Sequence, residues 1–238
     1  MAASVGGRAA SRLPIIGTSA AETYDFGVRA HVTGPRGRGL AEVRRAGPDD
    51  ATAVAPLLHE SAAEMYDRFS GGRERALRTL ERAFAEPGNA ASAEAVWVAE
   101  LEGTVTGAMA GFPVNEAAAR ARAFLRVALR GSPPWRWPGA LWLFWLGGRA
   151  SPNPPAAAFY VDALATDRRM RRRGVARRLL EEAEREARRR GLPALALDTT
   201  ISNKPARALY LSAGFDEVAH RPPGRGLPGF VALVKPLS

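Results

Sequence analysis

The sequence contains no cysteine. That absence removes disulfides, thiolate metal sites and cysteine nucleophiles together. Histidine is scarce. His31, His59 and His220 lie far apart with no HExxH or comparable spacing, so no metal site is expected. Lysine is almost missing: it occurs only at Lys204 and Lys235, and every other one of the 34 basic residues is arginine. Arginine suits planar, bidentate grips on phosphate or carboxylate. Long apolar runs are lacking too. The best candidate, PGALWLFWLGG over residues 138–148, falls short of the roughly 18–20 apolar residues that a membrane span needs.

What is present is an ordinary globular composition, 46% hydrophobic and 24% charged over 238 residues, enough for one domain with a substantial core. A cytoplasmic location is expected. The formal net charge is +10, and its excess is local: eleven arginines and four glutamates lie between Arg168 and Arg190. Such a cluster suits one localised polyanion better than a surface coated for DNA. A basic nucleic-acid-binding module without catalysis is the alternative. Against it, the aromatics are not interleaved with the arginines as stacking platforms require, and no nucleic-acid partner is expected.

Residues 1–38 are rich in Gly, Ala, Ser and Arg and show no sustained period. They read as a disordered extension, with a targeting leader as the other reading, although LPIIG is too short for a secretory apolar region. Residues 39–238 then form one domain. LAEVRRA (40–46) alternates as a strand, and ATAVAPLLHESAAEMYDRF has apolar residues at helical spacing. A second helix runs through RERALRTLERAFAEP, and residues 94–112 form an antiparallel hairpin turning at Glu102-Gly103. Residues 114–155 carry an amphipathic helix candidate with Arg122, Arg126 and Arg130 at i,i+4 spacing, followed by four of the five tryptophans. A segment of that length between strands is commonly functional. It reads as a helical insertion serving as an acceptor-side lid, a homodimer surface or a membrane-surface element.

Beyond it the pattern is regular: a strand over 157–166, a loop, a helix from Val175 closed by Gly191, and a strand over 194–200. A short helix with Pro205 in its first turn and a closing strand pair follow. The sum is a mixed α/β layer around one sheet.

The loop before Val175 reads Arg171-Arg172-Arg173-Gly174-Val175-Ala176. A cation at a helix N-terminus is disfavoured by about 0.3–1 kcal/mol. Arginines there make sense if they surround an anion already held by the free amides of the first turn. Glu181–Arg185, Glu184–Arg188 and Glu186–Arg190 have the stabilising i,i+4 orientation, so the later arginines read as a solvated face. The loop arginines have no such explanation.

The spacing resembles R/Q-x-x-G-x-G/A, the coenzyme A pyrophosphate loop of the GNAT superfamily of N-acetyltransferases. Arg36-Gly37-Arg38-Gly39-Leu40-Ala41 fits the same pattern but lacks a preceding apolar strand. Three further features support the later copy. Leu164-Ala165-Thr166 stands where the family has Leu/Ile-Ala-Val on a strand splayed from its neighbour. Asn203-x-x-Ala206-x-x-x-Tyr210 matches N-x-x-A-x-x-x-Y, with Gly214-Phe215 after it. The order of elements is also the family's. The departures are Thr166 for Val, Arg168 where Pro is common, and Ala176 at the last small position.

The resemblance implies one mixed, mostly antiparallel sheet flanked by helices, splayed at its central strands and carrying the insertion before the fourth strand. It implies acetyl-CoA as donor and an amine-bearing small molecule or protein as acceptor. Leu164, Ala165, Thr166, Arg171, Arg172, Arg173, Gly174, Val175, Ala176, Asn203 and Tyr210 would bind coenzyme A. Tyr210 would be the general acid, packing against the sheet being its plain structural role, and Asn203 would bond the pantetheine arm or cap its helix. Asp162 and Asp198 are the two candidates for the general base; either is equally readable as a strand-end acid paired with arginine.

Overall fold

A computed structural model describes residues 41–150, 153–224 and 226–237. The extension expected over 1–38, and residues 36–40 of the competing loop pattern, lie outside these.

The first strands are β1 (Glu42–Arg45), polar and mostly exposed, and β2 (Val96–Leu101) and β3 (Thr104–Pro113), near-continuous apolar runs buried over most of their length. β2 and β3 form the expected hairpin, and its turn takes positive φ at Glu102 (51°) and Gly103 (75°), the geometry that matches strand twist in a two-residue loop. Between β1 and β2 run α1 (Ala51–Ser61), α2 (Ala63–Ser70) and α3 (Arg73–Ala85). The continuous helix expected from residue 51 is divided at Ala62, whose φ of −151° and ψ of 48° leave the helical region. The Ser61 hydroxyl donates to the Leu58 carbonyl, and α2 restarts with the Tyr66 amide on Ala62 O. Tertiary packing decides the break, because Leu58, Ala62 and Tyr66 all enter one core.

The segment after β3 is helical as expected: α4 (Val114–Arg130) and α5 (Trp137–Ala150). Then come β4 (Ala158–Thr166), α6 (Val175–Arg189), β5 (Ala194–Thr200), α7 (Lys204–Ser212), β6 (Asp216–Arg221) and β7 (Phe230–Pro236). The seven strands form one sheet in the order β1-β2-β3-β4-β5-β7-β6, and only the β4–β5 pair is parallel. α1 and α4 pack on β3 and β4 from one side, with α2, α3 and α5 stacked on those helices. On the other side α6 crosses β3 and β4, burying Val175, Leu179, Leu180, Ala183 and Ala187 against Trp97, Met109 and Phe159. A Cβ on Gly107 of β3 would lie 2.7 Å from Val175 Cγ1 and 3.2 Å from Leu179 Cδ1. The start of α6 sits this close to the sheet because that strand position has no side chain.

The glutamates of α6 do more than hold a solvated face. Glu184–Arg188 (3.7 Å) and Glu186–Arg190 (2.7 Å) pair as expected, but Arg185 turns to Glu182 at 2.6 Å. Glu186 is buried, and it also receives Arg45 from β1 at 2.9 Å. Burial pushes its carboxyl up, but hydrogen bonds from Arg189 and Arg190 and the charge of Arg45 outweigh that and hold it below the usual range.

Candidate functional site at the splayed strands

β4 and β5 pair only from Ala158↔Ala194 to Val161↔Leu197, although β4 runs on to Thr166 and β5 to Thr200. The sheet therefore opens at its centre. On the β3 side the register shifts at the same point: Gly111 pairs with Val161 and Ala110 with Ala163, which leaves Asp162 as the extra residue of a β-bulge. A bulge re-aims a side chain and bends its strand. Beyond it Leu164, Ala165 and Thr166 stay paired to Met109, Ala108 and Gly107, while their other edge faces the opening.

Several acidic protons meet at this opening. The Tyr160 hydroxyl donates to Asp198 Oδ1 at 3.0 Å, both residues being buried. Asp162 is buried as well; desolvation first, and the Asp198 charge second, hold its carboxyl well above the usual range. Tyr160 is likewise held above the ordinary phenol range, by burial first and then by Asp198, Asp162 and Tyr210. Tyr66 of α2 is raised by burial and by the charge of Asp162. Tyr210 belongs to the core beneath α6 and packs on Phe215 at 5.9 Å between centroids, yet it lies near enough to Tyr160 to help hold that phenol up. Asp162 opens instead to a cavity on the opposite side. The opening thus brings Tyr210 from one face of the sheet toward the carboxylates on the other.

Asn203 caps α7: its Oδ1 accepts from the Ala206 amide at 3.3 Å and its Nδ2 donates to Thr199 Oγ1 at 3.2 Å. Those bonds fix the start of the helix that carries Tyr210.

At the far end of β4 the chain turns through residues 167–174. Asp167 Oδ1 caps the turn by accepting from the Arg169 amide at 2.7 Å. Arg172 (φ 60°) and Gly174 (φ 80°) both adopt left-handed conformations. For arginine this costs about 1–2 kcal/mol, strain of a kind that clusters at ligand sites. The Arg178 amide reaches Gly174 O at 3.0 Å, and among the described residues no amide from Arg171 to Arg177 donates to a backbone carbonyl. A row of outward N–H groups is an anion cradle. Arg172 and Arg173 are exposed beside it.

The other loop arginines have a partner that the local sequence does not reveal. Glu60 of α1 accepts from Arg168 Nε at 3.0 Å and from Arg171 at 2.6 Å. It tethers the turn to the helical layer. The sequence pattern points to none of Glu60, Tyr66 and Tyr160. Tyr160 alone carries a local signal, lying two residues before Asp162 on the same strand.

The cavity at Asp162 is walled by Met65, Tyr66 and Phe69 of α2, Phe124 of α4, and Leu143 and Phe144 of α5. The tryptophans of 114–155 do not line it: Trp135, Trp142 and Trp145 are exposed to solvent. Among the described residues there is no cluster of three metal-binding side chains, and no helix is long and apolar enough to cross a membrane.

Comparison with known proteins agrees with this architecture. Among solved structures, an N-acetyltransferase from Staphylococcus aureus Mu50 is 18% identical with a TM-score of 0.63, over 82% of this chain and 100% of that one. A structure described only as an acetyltransferase is 21% identical with a TM-score of 0.62, over 83% and 100%. A GCN5-related N-acetyltransferase from Kribbella flavida is 20% identical with a TM-score of 0.50, over 83% and 98%. No curated protein matches the sequence. The model of the acetyltransferase (GNAT) family matches residues 58–215, a span that holds the turn, both strands of the opening and α7. The chain belongs to the GNAT family and is an N-acetyltransferase.

Proposed function

We propose that the chain transfers the acetyl group of acetyl-CoA to a primary amine at the opening between β4 and β5. The observation that carries this reading is the end of strand pairing at Val161↔Leu197. On this reading the donor runs from the amide cradle at 171–177, along the open edge of Leu164, Ala165 and Thr166, to Asp162, Asp198 and Tyr210. The diphosphate of the donor takes the amides of Arg173, Gly174, Val175 and Ala176, with Arg171, Arg172 and Arg173 around it. The pantetheine arm lies along β4 and adds the strand-like contacts that β5 has given up, with Asn203 at its margin.

Of the two aspartates, Asp162 is the better base. Asp198 already accepts from Tyr160, whereas Asp162 lines the cavity through which an acceptor reaches the opening. A primary amine of pKa about 10.4 is almost wholly protonated at neutral pH, so attack needs a group that removes its proton. Burial raises the proton affinity of Asp162 toward that task. Asp162 first takes the ammonium proton and releases it to solvent, which frees the nitrogen lone pair. The nitrogen bonds to the thioester carbon and gives its second proton to the Asp162 carboxylate, and the carbon–sulfur bond breaks with its electron pair on sulfur. Tyr210 gives its hydroxyl proton to that thiolate, and the proton held by Asp162 then returns to the Tyr210 phenolate through water, restoring both groups. Free thiol and a mass gain of one acetyl group on the amine, both dependent on enzyme and acetyl-CoA, are the expected outcome of incubating the chain with a panel of amines. Thiol release without acetylated amine contradicts the reading.

A further inference from the structure

We infer that the acceptor is a small hydrophobic monoamine: a primary amine on an aryl or branched alkyl group, with no carboxylate, phosphate or second ammonium. It would sit in the cavity enclosed by α2, α4 and α5 with its nitrogen at Asp162. This inference rests on the acetyl-transfer reading above and names the substrate class for it.

The chemistry of the walls carries it. Phe69, Phe112, Phe124, Phe144 and Met65 supply aromatic and thioether surface, and the polar side chains among the described lining residues are Tyr66 and Asp162. Apolar pockets with a few convergent polar groups are the usual form of a small-molecule site, the polar groups setting orientation. Here they converge at one end, on the side of the opening. An amine whose apolar body fills the pocket therefore points its nitrogen at Asp162.

The same walls reject other amines. Among the described residues that line the cavity there is no arginine, lysine or histidine, so they offer an amino-acid carboxylate or a phosphate no counter-charge. Arg120 comes within 5.5 Å of the Phe112 ring, but it is paired with Glu94 at 3.0 Å and Glu116 at 2.8 Å. A polyamine would have to bury a second ammonium among phenylalanines, a severe cost without a second carboxylate. A peptide would leave backbone amides there with few partners. The helices of 114–155 thus close the pocket with Leu143 and Phe144, not with their tryptophans.

The test is a panel assay on the full chain with thiol release as readout. It compares 2-phenylethylamine and 3-methylbutylamine with spermidine, lysine and a short peptide bearing a free N-terminus. We expect kcat/KM for the hydrophobic amines to exceed that for the others by about 100-fold or more. Ala121→Phe, which places a ring in the cavity, should lower kcat/KM for 2-phenylethylamine at least tenfold with acetyl-CoA affinity by calorimetry unchanged. Phe144→Ala, on the α5 wall, should shift preference toward bulkier aryl amines, so the inference does not depend on one variant folding. Faster turnover of spermidine, lysine or peptide than of the hydrophobic amines overturns the acceptor class and leaves acetyl transfer intact. Thiol release with no amine in the panel, together with no binding of acetyl-CoA, overturns both.

Discussion

At the scale of single residues, Asp162 carries two consequences of one burial. Its carboxyl holds a proton to higher pH than an unfolded aspartate of pKa about 3.9. Between those two values the folded chain binds more protons than the unfolded one, so ionisation of Asp162 weakens the fold as pH rises through that window. Asp162→Asn removes the charge and should raise the thermal midpoint at neutral pH, with the gain vanishing below pH of about 4. Activity should move the opposite way, kcat falling about 100- to 10,000-fold. The wild-type rise of kcat/KM with pH through the raised Asp162 value should be lost. A variant that keeps that limb would remove Asp162 from the role of base. Tyr210→Phe should lower kcat about 100-fold with little change in acetyl-CoA affinity, since its ring packing on Phe215 is kept. Tyr160→Phe tests the neighbouring bond: loss of the donor to the buried Asp198 should cost about 1–3 kcal/mol, measured by urea denaturation.

At the scale of elements, the turn and α6 act as a unit because Gly107 lets the helix seat on β3. Gly107→Ala should push the helix start outward, costing about 1–3 kcal/mol in stability and weakening acetyl-CoA binding with it. Gly174→Ala differs in kind. Nothing lies within 4 Å of a Cβ there, so only the left-handed backbone resists, at about 1–2 kcal/mol. The Arg172→Ala, Arg173→Ala double variant touches no core residue and should weaken acetyl-CoA about 10- to 100-fold, with the thermal midpoint unchanged in the absence of ligand. How far these elements can be read from sequence depends on the range of the interactions that fix them. The amide cradle, the α6 stripe and the Asn203 cap are written within a few residues of one another, so spacing reveals them. Glu60 meets Arg168 across 108 positions, and Tyr66 lines the same cavity as Asp162 from a helix that restarts after the break at Ala62. Periodicity runs straight through that break, because Ala62 is a good helix former in isolation and is turned by its tertiary contacts. Likewise the bulge at Asp162 leaves alternation nearly intact, so the local pattern does not reveal it.

At the scale of the whole molecule, the opening in the sheet connects two chemically different faces. One presents guanidinium groups and backbone amides at the end of β4; the other presents phenylalanines around a buried carboxylate. A highly charged donor and an apolar acceptor can meet there without sharing a surface. The formal net charge of +10 adds long-range attraction for an anionic donor, so the association rate should fall as salt is raised. The most direct test is titration calorimetry of acetyl-CoA into the folded full chain, alongside the Arg172→Ala, Arg173→Ala variant. A saturable single-site isotherm that weakens about 10-fold or more in the variant is predicted; a flat titration of the wild-type chain would contradict the proposed donor site.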